Sequence, residues 1–451
     1  MFTSIILAAG MGTRMKSNTP KVLHEVCGKP LCKWVIDASK KAGADKTVTV
    51  IGHKAEMVKE KLGDVTEYAL QSEQKGTGHA VMQAIDFINQ SQTVVILNGD
   101  TPLITAETIK KAVDYSRENG EQATVITAIL PDAAGYGRIV RDENGGVLKI
   151  VEQKDATEEE KKIKEINSGM YVFDAQSLAF ALGKITPNNA QGEYYLTDTL
   201  EILLKSGKKV GAYAIENNDE IRGINDRVQL NEAENIMRKT INEAYMRNGV
   251  TMRIPESIYI EDGVEIGNDT EICQNVTIKS GTKIGSGCVV GQGSMLDNAI
   301  IHDNVNILSS VIINSEIDEN TVVGPFAYIR PNCHVGKDVK VGDFVELKNS
   351  NIDDGTKISH LTYIGDSDVG KRVNFGCGTV TCNYDGKNKF RSTIGDDCFV
   401  GCNTNFVSPI NVGKNAYIAA GSTITEDIPD DTLSIARARQ VNKEGWTDKR
   451  K

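Results

Sequence analysis

The sequence predicts a doubly wound α/β sheet in its first half, one long connecting helix, and a parallel β-helix in its second half. Three observations carry this. Aliphatic residues recur at every sixth position through most of 254 to 424. Short apolar runs alternate with helix-spaced segments from Ile5 to Leu97. Between these regions, Leu230, Ala233, Ile236, Met237, Ile241, Ala244 and Tyr245 fall at helical spacing, and Gly249 supplies a stop.

Read from Ile254, the repeat runs Ile260, Ile266, Ile272, Ile278, Ile284, Val290 and Leu296. It slips, resumes at Val323, Ile329, Val335, Val341 and Leu347, and slips by one to Ile352, Ile358 and Ile364, then Val369 and Phe375. After a loop it returns at Ile394, Val400, Phe406, Val412, Ile418 and Ile424. Six residues make one short strand and a turn. A lone strand cannot bury its aliphatic side chain, but a stack of them can. Many of these positions precede a glycine, among them Gly267, Gly336 and Gly395. Those glycines are expected to serve tight corners with positive φ.

A chain of 451 residues implies two or three domains. The divisions are expected at 1–226, 227–249 and 250–451. The composition, 40% hydrophobic and 25% charged, is that of a soluble globular protein. A net charge of −10 argues against a general nucleic-acid binder. Nine cysteines at irregular spacing, without a CxxC pair, suit reduced cytoplasmic thiols better than a disulfide frame or a zinc site. His302, His334 and His360 lie far apart in sequence, so no histidine metal group is expected. No apolar run approaches the roughly 18–20 residues of a membrane span. The start lacks the basic region of a signal peptide.

In the first half, Ile5–Leu7 with Ala8 and Ala9 reads as a buried strand running into Gly10-Met11-Gly12-Thr13-Arg14-Met15 and then Pro20-Lys21. A helix over 30–43, a strand at 47–51, a helix at 54–62, a strand near 66–70, a helix at 78–89 and a strand at 93–97 follow. Asp100 closes that last strand. Ligands of such sheets bind beyond the carboxyl ends of the strands. The glycines let backbone N–H groups approach an anion, with Arg14 and Lys21 adding charge. The loop is neither a dinucleotide fingerprint nor a Walker loop. One carboxylate at Asp100 suffices for Mg²⁺, which takes its other ligands from phosphate and water. Residues 155–165, rich in Glu and Lys, are expected to be a solvated insertion.

The order of motifs resembles one family closely and along essentially the whole chain. It runs from the Gly-Met-Gly-Thr-Arg-Met loop with Pro20-Lys21 to Gln71 and Gln74 followed by Gly76-Thr77-Gly78-His79-Ala80, and Gly99-Asp100 at a strand end. The long helix follows, then hexapeptide repeats with His360-Leu361-Thr362-Tyr363-Ile364-Gly365 and Asn383-Tyr384-Asp385-Gly386. The family is that of the bacterial bifunctional N-acetylglucosamine-1-phosphate uridyltransferases and glucosamine-1-phosphate N-acetyltransferases. These make UDP-N-acetylglucosamine for cell-wall synthesis. The resemblance implies a Rossmann-like nucleotidyltransferase domain and a left-handed β-helix that assembles as a homotrimer.

For the first half, the resemblance implies that Leu7, Ala8, Ala9 and Gly10 lie against the uridine nucleotide, with Arg14 and Lys21 on its phosphates. Gln71, Gly76 and Thr77 would read the uracil end. Gly137, Glu152 and Asn167 would hold the sugar, and Asp100 and Asn225 would bind Mg²⁺. Asn98 stands where many relatives carry an aromatic residue. The implied reaction is attack of a sugar 1-phosphate on the α-phosphorus of UTP, releasing pyrophosphate.

For the second half, an amine attacks the thioester of acetyl-CoA and needs a base. The family match gives that role to His360, with Glu346 expected to orient its ring. Arg330, Lys348, Tyr363, Asn374, Asn383 and Tyr384 match positions that bind the sugar phosphate. Cys377, Cys402, Ala420 and Arg437 match acetyl-CoA positions, and Arg437, Arg439 and Lys443 are candidates for its phosphates. A single-function hexose-1-phosphate nucleotidyltransferase with a structural β-helix is the alternative.

Overall fold

The computed structural model describes residues 2–143, 145–151, 153–189, 191–447 and 450. The chain divides into two compact units, Met1–Met237 and Arg238–Lys451.

Among the described residues the large sheet of the first unit has nine strands: β1 Thr3–Ala8, β2 Lys46–Ile51, β3 Glu67–Leu70, β4 Thr93–Asn98, β5 Ala123–Ile129, β6 Arg138–Arg141, β7 Val147–Val151, β8 Glu165–Asp174 and β9 Val210–Ala214. They lie in the order β9-β5-β8-β4-β1-β2-β3, with the β6–β7 hairpin leaning on β8. The main sheet is parallel except for β8, which runs antiparallel to both β4 and β5. Strands β1 and β4 are buried over nearly their whole length, as expected of parallel strands covered on both faces. Helices α1 Leu31–Lys41, α2 Ala55–Leu62, α3 Thr77–Met82, α4 Ile85–Asn89, α5 Ala106–Glu118, α6 Ala175–Leu182 and α7 Asp198–Lys205 supply the covering. Thr105 and Asp174 cap α5 and α6 by accepting from Thr108 N and Ser177 N at 3.2 and 2.9 Å.

Two expectations are corrected here. The single helix over 78–89 is two, because Ala84 leaves helical geometry at φ −99°, ψ 16°. The expected insertion over 155–165 ends inside the sheet. Glu165 opens β8, and its carboxylate accepts from Arg141 at 2.7 and 2.6 Å and from Thr127 Oγ1 at 2.8 Å.

Helix α8, Arg227–Arg247, crosses the division between the units. In the second unit its last turns fasten to the first coil. Asn242 Nδ2 donates to the carbonyls of Pro255 and Ile258 at 2.9 and 3.1 Å, and the Tyr245 hydroxyl to that of Val264 at 2.5 Å. Beyond it, short parallel strands stack into three sheets of eleven, ten and nine, the faces of a left-handed β-helix. The repeating aliphatics point inward from Ile260 on, with Ile266 only partly buried. Ile254 does not belong to this row; it is 48% exposed. Across the first slip, Ile301, Ile307, Ile312 and Ile317 keep the interior filled. The steps from Leu296 to Ile301 and from Ile307 through Ile312 to Ile317 are five residues each, one shorter than the repeat.

The glycine expectation holds at Gly324, with φ 105°, and fails elsewhere in an instructive way. Gly267, Gly336 and Gly395 do not adopt positive φ; that region is taken by corner residues such as Asp269, Asn275, Asn304 and Asn320, the non-glycine types that tolerate it best. The glycines are needed for close approach between coils. A Cβ on Gly267 would stand 2.7 Å from the carbonyl carbon of Gly285, and one on Gly395 2.7 Å from Lys414 N.

Candidate active sites

The front site lies at the carboxyl edge of β1 and β4. The Leu7 carbonyl accepts from Gly99 N at 2.9 Å and the Ala9 carbonyl from His53 N at 3.3 Å. These bonds hold the Leu7-Ala8-Ala9-Gly10 segment against its neighbours. Among the described residues, nothing lies within 4 Å of where a Gly10 Cβ would be, which leaves backbone open to a ligand. Gly12, at φ 61°, cannot be replaced so easily, because its Cβ would stand 2.6 Å from Lys21 Cβ. The missing side chain leaves room for Lys21 beside the loop. Its ammonium pairs with the Asp100 carboxylate and donates to Asn225 Oδ1 at 3.1 Å. Asn225 is steadied in turn, its N–H on Gln229 Oε1 at 2.8 Å. Ile224 N donates to the Asp100 carbonyl at 2.9 Å. Lys21, Asp100 and Asn225, 204 residues apart at the extremes, thus form one cluster. Arg14 is exposed beside it in sequence, and among the described residues its guanidinium has no hydrogen-bond partner.

Gln71 is buried, with Nε2 donating to the Gly76 carbonyl at 3.1 Å. Gly76, at φ 101°, turns the chain into α3. Thr77 Oγ1 accepts from Leu196 N at 3.1 Å, so the 193–196 segment walls this end. Gly137 and Asn167 meet through an N–H to carbonyl bond of 2.9 Å. Asn167 sits where β8 shifts register against β5, an irregularity that turns its side chain to accept from Gly169 N at 2.9 Å. Glu152 lies outside the described residues.

The back site lies on one corner of the β-helix. Backbone N–H groups link successive turns there: Leu361 to Asp343, Gly378 to Leu361, Asn403 to Cys377, and Gly421 to Cys402, all at 2.8–2.9 Å. The ladder therefore lines up His360–Leu361, Cys377, Cys402 and Ala420 on consecutive coils. Arg437 follows at the top, with a Gly421 Cβ position 3.7 Å from its Cδ. Arg439 is exposed, and the Lys443 ammonium stands 5.7 Å from the Trp446 ring centroid.

His360 is 60% exposed, and its Nδ1 lies 2.7 Å from Asp343 Oδ1. The bond to His360 holds the Asp343 carboxyl below its ordinary value. Glu346 is not the residue that orients the ring. It is engaged by Arg330, whose guanidinium donates to it at 2.8 Å, whereas Asp343 faces His360 in register on the preceding coil.

Lys348, Asn349 and Asn383 converge on Asp366, whose carboxylate takes Lys348 at 3.3 Å and Asn349 at 2.5 Å. Tyr363 pairs in register with Glu346, and Asn374 with Lys357 on the neighbouring sheet. Tyr384 is exposed on the loop that closes through its bridge to Lys389. That loop delivers a residue the sequence reading passed over. Lys389 stands so close to Lys348 that its ammonium is pulled below the ordinary lysine value. Lys348 is already paired with Asp366, and Lys389 adds a second ammonium beside it. The signal was present as the interruption of the hexapeptide period between Phe375 and Ile394.

His302 and His334, distant in sequence, are neighbours in the fold. They stand on the two oxygens of one carboxylate, Asp318, at 3.6 and 3.1 Å.

A nucleotidyltransferase sheet with a cation-bearing glycine loop, followed by a hexapeptide-repeat transferase with a carboxylate-held imidazole, defines a two-site transferase. The comparisons agree. The family model for nucleotidyl transferases matches residues 3–220. The bacterial transferase hexapeptide model matches 314–349 and 391–426, and that for the hexapeptide repeat of succinyl-transferase 257–298. Bifunctional protein GlmU of Caldanaerobacter subterraneus subsp. tengcongensis is 54% identical over 99% of this chain and 98% of its own length. That of Acetivibrio thermocellus is 56% identical over 99% and 97%, and that of Clostridioides difficile 54% over 100% and 98%. The chain belongs to the GlmU family of bifunctional transferases.

Proposed function

We propose that the chain acetylates glucosamine 1-phosphate with acetyl-CoA at the back site and transfers UMP from UTP to the N-acetylated product at the front site. The observation that carries the first step is the Asp343–His360 pair. A bond from Nδ1–H to the carboxylate leaves Nε2 as the lone-pair nitrogen, free to take a proton from the amine as it attacks the thioester. Arg330, Lys348 and Lys389 offset the charge of the sugar phosphate, and Tyr363, Asn374, Asn383 and Tyr384 surround the sugar. The thioester arm runs along the corner past Cys377, Cys402 and Ala420 toward Arg437.

At the front site the reaction is an in-line displacement with little covalent work for the protein. Lys21 and Arg14 offset the growing phosphate charge, and the backbone at Leu7 to Gly10 positions the nucleotide. Asp100 and Asn225 already share an ammonium, so the pocket between them fits a cation. They would hold Mg²⁺, which supplies Lewis-acid charge on the phosphates. Gln71, Gly76 and Thr77 take the base end, and Gly137, Glu152 and Asn167 the sugar.

The working form is a homotrimer in the cytoplasm. Leu308, Phe326, Phe344 and Leu361 leave a row of exposed apolar side chains along the His360 corner. Phe326, Phe344 and Leu361 all take positive φ, and the two rings stack at 5.5 Å. Holding bulky side chains outward in an unfavourable backbone region suits coverage by another copy of the chain. No described helix is long and apolar enough to cross a membrane.

A time course with glucosamine 1-phosphate, acetyl-CoA, UTP and Mg²⁺ tests this. The acetylated sugar phosphate should rise first and then be consumed as the UDP-sugar and pyrophosphate appear. Uridylyl transfer without acetylation would favour the single-function alternative.

A further inference from the structure

The third face of the β-helix carries a side-chain cluster that neither transfer reaction uses. Three successive coils place His302, Glu316 with Asp318, and His334 above one another, because each coil is about as long as the spacing between these residues. His302 Nε2 lies 2.8 Å from Glu316 Oε1 and 3.6 Å from Asp318 Oδ1. The ligand atoms of these three residues all fall within 4.8 Å of one another. His334 Nε2 sits 3.1 Å from the other Asp318 oxygen. Lys337, 3.2 Å from Glu319, is the nearby cation.

We propose that His302, Glu316 and Asp318 bind a divalent transition-metal ion, with Zn²⁺ the best fit, and that His334 fixes the Asp318 carboxylate as a supporting residue. Zn²⁺ binds imidazole and carboxylate at about 2.0–2.2 Å, which in a tetrahedron sets its ligands about 3.3–3.6 Å apart. The observed separations bracket that range, so small side-chain rotations close the site. The backbone need not move, since every ligand is on or next to a strand of one sheet. An imidazole nitrogen selects against Mg²⁺ and Ca²⁺, which take oxygen ligands. Ligating carboxylates in such centres are themselves hydrogen-bonded, as Asp318 is by His334. Three ligands leave one position for water, and the ion ties two coils together, with His334 reaching Asp318 from a third.

The test is calorimetric titration of the chelator-stripped, full-length protein with Zn²⁺, together with Co²⁺ absorption spectra. One high-affinity site per chain is expected, with the visible bands of Co²⁺ bound in a four-coordinate nitrogen–oxygen site. His302→Gln and Asp318→Asn should each weaken it by roughly 100-fold or more, and His334→Gln by roughly 10–100-fold. His53→Gln should leave it unchanged. Asp100→Asn should also leave it unchanged, which separates it from any ion at the front site. All these side chains are partly exposed, and circular dichroism should confirm folded variants. Binding only at millimolar Zn²⁺, or high-affinity binding that survives both His302→Gln and Asp318→Asn, would overturn the proposal.

Discussion

His360 Nδ1 and Asp343 Oδ1 lie 2.7 Å apart on neighbouring coils whose residues are paired in register. The sheet itself therefore fixes the imidazole edge that faces the carboxylate. Replacing His360 by Ala should lower acetyl transfer by roughly 10²–10⁴-fold and leave uridylyl transfer nearly intact. Asp343→Asn should lower kcat for acetyl transfer with little change in KM, because it disturbs the base and not the contacts to substrate. Glu346→Gln should instead raise KM for the sugar phosphate, since Glu346 holds Arg330. Steady-state assays of both half-reactions decide this; parallel loss of both activities would contradict two separate sites.

Asp100 and Asn225 share the ammonium of Lys21, so the front cluster is balanced around a cation. Asp100→Ala should abolish Mg²⁺-dependent uridylyl transfer while acetylation continues. A loss of acetylation as well would indicate misfolding.

Asp366 is 6% exposed and accepts from Asn383 at the base of the loop that the Tyr384–Lys389 bridge closes. Burial pushes its carboxyl up, but the bonds from Asn349, Asn383 and Lys348, with the charge of Lys348, outweigh that and hold it below the ordinary value. A depressed folded value stabilises the protein above the unfolded value, about 3.9, and the contribution is lost as pH falls through the folded value. Asp366→Asn should therefore melt at a lower temperature than the parent at pH 7, and the gap should narrow below about pH 4. A gap that stayed constant down to pH 2 would mean the charge plays no part.

The cysteines of the acyl corner differ in access from those of the core. Cys402 is exposed and Cys377 half-buried, whereas Cys32 is buried and burial pushes its thiol up to about 12. A thiol alkylator should slow acetyl transfer, and acetyl-CoA should protect, with label mapped to Cys402 and not to Cys32. Undiminished activity after stoichiometric labelling of Cys402 would show that the corner does not receive the thioester arm.

The fold was readable because its signals are periodic. A six-residue aliphatic rhythm and a strand–helix alternation survive local irregularity. Lys21 and Asp100 were readable from their place at the carboxyl ends of the strands, but Asn225 only through resemblance, since nothing local joins it to residues so distant in sequence. Two partners were missed for a geometric reason. Asp343 and Lys389 reach their sites by stacking between coils and by a loop leaving the prism. The same cause hid His302 and His334. Sixteen residues from each of them to Asp318 looks like separation in a linear reading, yet it is about one turn of the coil.

The role of the repeat glycines makes the sharpest contrast with what their sequence position suggests. If Gly267 served a left-handed corner, alanine there would strain backbone dihedrals. The structure instead sets its missing Cβ 2.6 Å from Ser286 Oγ and 2.7 Å from Gly285 C, so alanine must push two coils apart. Overpacking of this kind costs about 1–3 kcal/mol. At the true corner, Asn275 with φ 58°, alanine should cost about 1–2 kcal/mol through dihedral strain, and glycine should be tolerated. Chemical denaturation of Gly267→Ala, Asn275→Ala and Asn275→Gly separates the two effects. Destabilisation by Asn275→Gly as large as by Asn275→Ala would show that side-chain contacts, not backbone conformation, hold that corner.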